Sequence, residues 1–157
     1  MDTEDSLRHF TARFATAEEI DSWDEHVTEN PNGGNLLQSA SFAAVKARHG
    51  WKPVHLVYEG TTERPGADGG AVEQTVASYN LVLEKRVPLL GRLWYMIKGP
   101  DVADVRDIPA ILDANREFVR REGLDVFAIK IEPDILDSPE RAAFLHLSLI
   151  HISEPTR

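Results

Sequence analysis

The alternation of apolar and polar positions divides the chain into stretches of helical period and stretches of strand period. Residues 1–13 are polar and mixed in charge apart from Leu7 and Phe10, which fits a loose leader or a first edge strand. Thr16-Ala17-Glu18-Glu19 has the form of a capping box, in which the threonine oxygen accepts from the amide three residues on and Glu19 reaches back. The helix it starts carries Ile20, Trp23 and Val27 as one apolar stripe, and Asn30-Pro31-Asn32-Gly33-Gly34 stops it with turn formers. A second helix begins near Ser39 or Ser41, buries Phe42 and Val45, and ends at His49-Gly50.

From Trp51 the period changes. Val54, Leu56 and Tyr58 alternate against Pro53, His55 and Val57, the pattern of a strand with at least one buried face. Thr61 to Gly70 is rich in Gly, Pro and charge and reads as a hairpin loop, followed by a long strand from Val72 to about Leu83 with room for a bulge. Arg86 to Gly91 reads as the next turn, and Leu93-Trp94-Tyr95-Met96-Ile97 as a third strand that Lys98-Gly99-Pro100 closes. Asp104 or Asp107 caps a helix with Pro109 in its first turn and Ile108, Ile111, Leu112, Phe118 and Val119 on its inner face; Gly123 ends it. Residues Val126 to Ile131 are nearly all apolar, as in a strand at the middle of a sheet, and a last helix follows. The order helix, helix, three strands, helix, strand, helix predicts an α+β fold, mixed α/β layers around one twisted sheet.

Composition narrows the picture. A chain of 157 residues with 42% hydrophobic residues fits one core of ordinary size. The absence of cysteine removes disulfides, thiolate metal ligands and thiol catalysis, and the first twenty or so residues hold no apolar run for a signal peptide or a membrane span. The expectation is a cytoplasmic protein with no integral membrane segment. A formal charge of −9 opposes long-range attraction to nucleic acid or anionic lipid, so any nucleic-acid contact is local or made by something outside this chain.

Several chemistries are absent. The chain has no P-loop and no Gly-x-Ser-x-Gly elbow, and its 6 histidines are scattered without metal spacing. Trp51, Trp94 and Tyr95 invite a base-stacking reading, but their places on strands fit core packing. Lys46 is the first candidate for a ligand contact. It lies four residues after Phe42, so its stem can follow the packed face while its ammonium reaches the helix rim. The alternative for Lys46 is a solvated helix lysine.

Three strings carry a resemblance: Asn35 to Trp51 (NLLQSASFAAVKARHGW), Lys98-Gly99-Pro100, and Ile129-Lys130-Ile131-Glu132-Pro133. In this order and at about these separations they resemble the N-terminal part of the FemABX family, peptidyltransferases that move amino acids from aminoacyl-tRNA to peptidoglycan precursors. The resemblance implies a GNAT-like acyltransferase fold, as the N-terminal domain of a normally two-domain protein. It covers residues 1–146, expected to form an incomplete GNAT-like domain. Residues 147–157 (LSLIHISEPTR) resemble a translated sequencing-library adapter and are expected to be a non-native tail.

The resemblance also implies roles. Lys46 matches a lysine that helps bind the diphosphate of a nucleotide-linked or lipid-linked muropeptide, a task suited to a point charge on a flexible stem. Glu132 falls where the family places an acidic residue before proline at a strand end, often an aspartate, lining the peptide part of the acceptor. As the catalytic candidate it would orient or deprotonate the acceptor amine; the alternative is a strand-end carboxylate paired with Lys130. Lys98 either lines the same pocket as a second substrate contact or faces solvent before the Gly-Pro turn. No metal and no organic cofactor is implied. Aminoacyl-tRNA is the co-substrate, bound mainly through the C-terminal part of the family fold, and the isolated domain is expected to be inactive and to bind precursor weakly.

Two alternatives stand beside this reading. An acetyl-CoA-dependent GNAT N-acyltransferase would need an Arg/Gln-x-x-Gly-x-Gly/Ala loop opening a helix, and the nearest string, Arg64-Pro65-Gly66-Ala67-Asp68-Gly69, has its glycines displaced and lies between strands. A non-catalytic GNAT-like binding module would fit the acidic composition.

Overall fold

The computed structural model describes residues 9–135, 139, 140 and 143. The expected last helix and residues 147–157 therefore lie largely or wholly outside the described residues. Among the described residues five strands form one sheet in the order β1-β2-β3-β4-β5: β1 (His9–Phe14), β2 (Lys52–Pro65), β3 (Ala71–Val87), β4 (Gly91–Met96) and β5 (Val126–Ile131). The first four run antiparallel to their neighbours and β5 runs parallel to β4. With helices on both faces this is the mixed α/β layer fold expected from the element order.

Local sequence explains most of the elements. The Thr16 hydroxyl accepts from the Glu19 amide at 3.2 Å and the Glu19 carboxylate accepts from the Thr16 amide at 2.8 Å, completing the capping box. The single helix expected there is broken at Ser22 into α1 (Ala17–Asp21) and α2 (Trp23–Thr28). The break turns Trp23 and Val27 into the sheet and leaves Ile20 40% exposed. Ser39 caps α3 (Ala40–Arg48) by accepting from the Phe42 amide. In α3 the residue fully buried is Ala43, with Phe42 half-buried; Val45, expected inside, faces out. Asp104 caps a short 3-10 turn, Val105–Asp107, that leads directly into α4 (Ile108–Arg121) with Pro109 in its first turn. Ile108, Ile111, Leu112 and Phe118 are buried as the period required.

The β2–β3 hairpin is longer than its composition implied. Its register runs unbroken from Lys52↔Glu84 to Pro65↔Ala71, so Thr61 to Pro65 is strand, the loop shrinks to Gly66–Gly70, and the expected bulge is absent. Strand β3 also continues through Val87 into the stretch expected to turn. Cross-strand hydrogen bonding outweighed the local Gly, Pro and charge signals. Strand β5 is the larger correction: expected in the middle, it is an edge strand among the described residues.

Two cores result. On one face, Phe10, Ala12, Leu56, Tyr58, Val82, Trp94 and Met96 pack against α4. Tyr58 donates to Asn115 Oδ1 at 2.8 Å and Trp94 Nε1 to Glu84 Oε1 at 3.0 Å, so these two donors are satisfied, while Asn115 Nδ2 is buried without a hydrogen-bond partner among the described residues. On the other face Trp23, Val27, Ala43, Leu81 and Leu83 form a smaller core with Phe42, Trp51, Tyr79 and Ile97 at its margin. The candidate residues lie at the edge of this second face.

Candidate functional site

Strand β4 ends at Met96, and the chain then turns through Lys98, at φ +55°, and the cis Gly99–Pro100 bond. The turn is tied down from three sides. Gln38 Nε2 donates to the Ile97 carbonyl at 2.5 Å, Asn80 Oδ1 accepts from the Asp101 amide at 2.8 Å, and Ser78 Oγ donates to the Asp101 carbonyl at 2.6 Å. The Asp101 carboxylate accepts from the Asn32 and Gly34 amides at 2.7 and 3.0 Å, fastening the loop between α2 and α3 to the same turn. Burial pushes the Asp101 carboxyl upward against those two amide bonds.

Glu132 follows β5 directly. Its amide is shared between the Met96 carbonyl at 3.1 Å and the Gly99 carbonyl at 3.0 Å, which fixes the backbone at the C-terminal ends of the two parallel strands. In this register Tyr95 lies opposite Lys130. The Tyr95 hydroxyl is the largest influence holding Glu132 below the usual carboxylate range. Desolvation opposes the shift, and Lys130 and Lys98 support it. The Glu132 carboxylate in turn raises the Tyr95 phenol. Lys130 Nζ lies 3.5 Å from Glu132 Oε1 and 4.6 Å from the Tyr95 ring centroid. The pairing with Lys130 considered from sequence is thus present, within a larger cluster.

Lys98 is 45% exposed and lies 3.8 Å from Asp134 Oδ1. Asp134 is held by Asn35 Nδ2 on its carboxylate and by Asn32 Nδ2 on its carbonyl, both at 2.8 Å. Lys98 therefore sits at the rim of the Glu132 cluster and carries an ion pair. Lys46 is half-buried, its ammonium 5.4 Å from the Phe42 ring centroid, as its position four residues after Phe42 required. Among the described residues it makes no ion pair and no hydrogen bond to Glu132 or Lys98. Phe42 packs in the same cluster as Trp51, and Trp51 lies 6.2 Å from Tyr95, so Lys46 is on the face that carries Tyr95.

Tyr95 is the residue that sequence reasoning missed. The strand pattern places it with Trp51 and Trp94 in the core; Trp94 is 1% exposed, whereas Trp51 and Tyr95 are half-buried and carry lysines over their rings. The available signal was the alternation in Ile129-Lys130-Ile131-Glu132, which puts Lys130 and Glu132 on one face of an apolar strand. The neighbouring strand's contribution was invisible locally.

Chemically the cluster offers an ionised carboxylate, a neutral phenol and two ammonium groups at a strand end. A carboxylate held at low pKa is a weak proton acceptor and a good partner for a cation or an N–H group. Among the described residues no group of three or more His, Asp or Glu side chains is arranged to hold a metal ion. No helix of the described residues is long and apolar enough to cross a membrane. An apolar groove of about 270 Å³ lies elsewhere, between Leu112 and Val119 of α4 and Val126, Phe127 and Ile129 of β5, and shares no residue with the Glu132 cluster.

No family model matches the chain, and no curated protein matches it. Among solved structures, an acetyltransferase from Trypanosoma brucei aligns over 94% of this chain and 94% of its own length, at 14% identity and a TM-score of 0.39. The fold described above rests on strand register and layer packing, independently of that likeness.

Proposed function

We propose that this domain binds and orients the acceptor in an acyl transfer of the FemABX type, in which an amine of a peptidoglycan stem peptide attacks the ester carbonyl of an aminoacyl-tRNA. The C–N bond forms as the ester C–O bond breaks. The amine gives up a proton and the terminal ribose hydroxyl of the RNA leaves with one. The observation that carries the reading is the place of Glu132 at the C-terminal ends of β4 and β5, its amide held by the Met96 and Gly99 carbonyls and its carboxylate 3.5 Å from Lys130 Nζ. In open sheets that end of the strands is where ligands bind.

Within this reading Glu132 accepts a hydrogen bond from the acceptor nitrogen and orients its lone pair, and its lowered pKa favours orientation over proton abstraction. Lys46, free of carboxylates among the described residues, supplies charge for a diphosphate. Lys98 contributes at the rim and exchanges Asp134 for the ligand. The GNAT-like identity of the domain, and a second domain completing the crevice, belong to this same proposal.

The test is transfer of a radiolabelled aminoacyl group from aminoacyl-tRNA to a nucleotide-linked muropeptide by the complete polypeptide from its gene. Transfer that falls in Lys46→Gln through a higher KM for the muropeptide supports the reading. No transfer, together with a thermal-shift response to acetyl-CoA, replaces it with an acetyl-CoA-dependent N-acyltransferase.

A further inference from the structure

Beside the Glu132 cluster, one face of the sheet alternates flat rings with ammonium groups. Lys85 Nζ stands 5.0 Å from the Trp51 ring centroid, Trp51 lies 6.2 Å from Tyr95 at an interplanar angle of 49°, and Lys130 Nζ stands 4.6 Å from the Tyr95 centroid. Strand alternation accounts for the alignment. Leu81 and Leu83 face the smaller core, so Lys85 emerges on the same side at its margin, while Tyr95 pairs with Leu83 and Lys130 with Tyr95. Helices α2 and α3 pack on β2 and β3. Lys85 and Lys130 are exposed and the two rings half-buried.

We infer that the strip Lys85, Trp51, Tyr95, Lys130 is a binding surface for single-stranded nucleic acid, with bases stacking on the two rings and the lysines moving from the rings to the phosphates. The inference does not rest on the transfer reaction proposed above. A lysine over a half-buried ring is a weak pair, worth a few-fold at most, so Lys85 yields readily to a phosphate, whereas Lys130 also gives up its 3.5 Å contact with Glu132. Stacking of a base on such a ring is worth roughly tenfold in affinity. A ligand that carries both an anionic backbone and aromatic faces therefore gains from every element of the strip.

Other polyanions match it less well. An acidic peptide would engage the lysines and leave the rings without partners, and a duplex keeps its bases stacked internally. The Glu132 carboxylate, paired with Lys130, ends the strip on one side, so a strand would run from Lys85 across Trp51 and Tyr95. Lys85 makes no ion pair among the described residues, which leaves its charge available. In a chain of formal charge −9 the attraction is confined to this strip, so binding is weak and steeply dependent on salt.

The experiment is fluorescence anisotropy of a labelled oligoadenylate titrated with the protein at two salt concentrations, with the corresponding duplex, an unlabelled polyglutamate competitor and three variants. The expected results are binding of the single strand that weakens with salt, loss of about threefold or more in Lys85→Gln, and loss of roughly tenfold in Tyr95→Ala. Arg120→Gln, on α4 across the sheet, binds as wild type. Thermal unfolding of Lys85→Gln, an exposed substitution, verifies that the loss is not a loss of fold. No binding of the single strand, equal binding of the duplex, equally effective competition by polyglutamate, or wild-type binding by both Lys85→Gln and Tyr95→Ala would each overturn the inference. Because the readout is the oligonucleotide alone, its failure leaves the acyl-transfer reading untouched, and the converse holds.

Discussion

The Gln38 carboxamide takes the place of a sheet rung beside Leu81: its Oε1 accepts from the Leu81 amide at 2.6 Å while its Nε2 donates to the Leu81 carbonyl at 3.3 Å and to the Ile97 carbonyl at 2.5 Å. Strands β3 and β4 pair from Val87↔Gly91 to Leu83↔Tyr95 and then part, and Gln38, fully buried, fills the gap. Trp23 Nε1 holds the Gln38 carbonyl at 2.9 Å, so the same residue ties α2 to the end of β4. The turn that presents Lys98 and backs Glu132 is thus fixed by a side chain from a distant helical segment.

Gln38→Leu keeps the volume and removes the rung, leaving the Leu81 amide and the Ile97 carbonyl buried without this partner. The expected cost is about 2 to 4 kcal/mol. It appears in urea unfolding as a lower midpoint with an unchanged slope. A midpoint equal to wild type would mean that the gap closes by direct pairing of the strands.

Acid sensitivity is expected from the other end of the second face. Glu19 is held by Arg13 at 2.8 Å, and this bond, supported by the Thr16 amide and the Tyr79 hydroxyl against the cost of burial, lowers its pKa from 4.5 to about 2. A depressed carboxylate adds stability above its unfolded pKa and loses it as pH falls through the folded value. Stability should therefore decline between pH 4.5 and about 2. Arg13 is 36% exposed, so solvent screening reduces the contribution to about 1 kcal/mol. Denaturant midpoints across that window should fall less steeply in Glu19→Gln than in wild type, and parallel slopes would remove Glu19 from the account.

The Tyr95 hydroxyl has a direct readout. In Tyr95→Phe the Glu132 carboxylate loses the hydroxyl that lowers it most, and its titration midpoint rises toward the ordinary carboxylate range, as followed by carbon-13 NMR of the side-chain carboxyl. An unmoved midpoint would assign the lowering to Lys130 and Lys98.

What the sequence made legible was local. The Thr16–Glu19 capping box, the Ser39 cap and the Ile108, Ile111, Leu112, Phe118 stripe depend on residues within a few positions of one another, and the structure has all three. Apolar character in β5 carries no information about which strands lie beside it, so its place at the edge, with Phe127 45% exposed and none of its residues fully buried, is not legible in the segment itself. Thr61 to Pro65 has loop composition, yet pairing with Ala71 to Thr75 makes it strand. Likewise Lys46 and Glu132 were singled out through short strings, while Tyr95, Lys85 and Gln38 gain their importance from partners on other elements. Cross-strand register created the site, and register is not written in any one segment.

The central claim is that Glu132 seats the acceptor amine, and the most direct measurement is the rate of aminoacyl transfer by Glu132→Gln against wild type in the complete polypeptide, at saturating aminoacyl-tRNA and varied muropeptide. The amide removes the charge and keeps the shape. The expected result is a fall of at least about a hundredfold in kcat/KM for the muropeptide, the lower end of what a positioned acid-base or orienting group contributes. Transfer by Glu132→Gln at the wild-type rate would contradict the claim and reduce Glu132 to a partner of Tyr95 and Lys130 at the end of a strand.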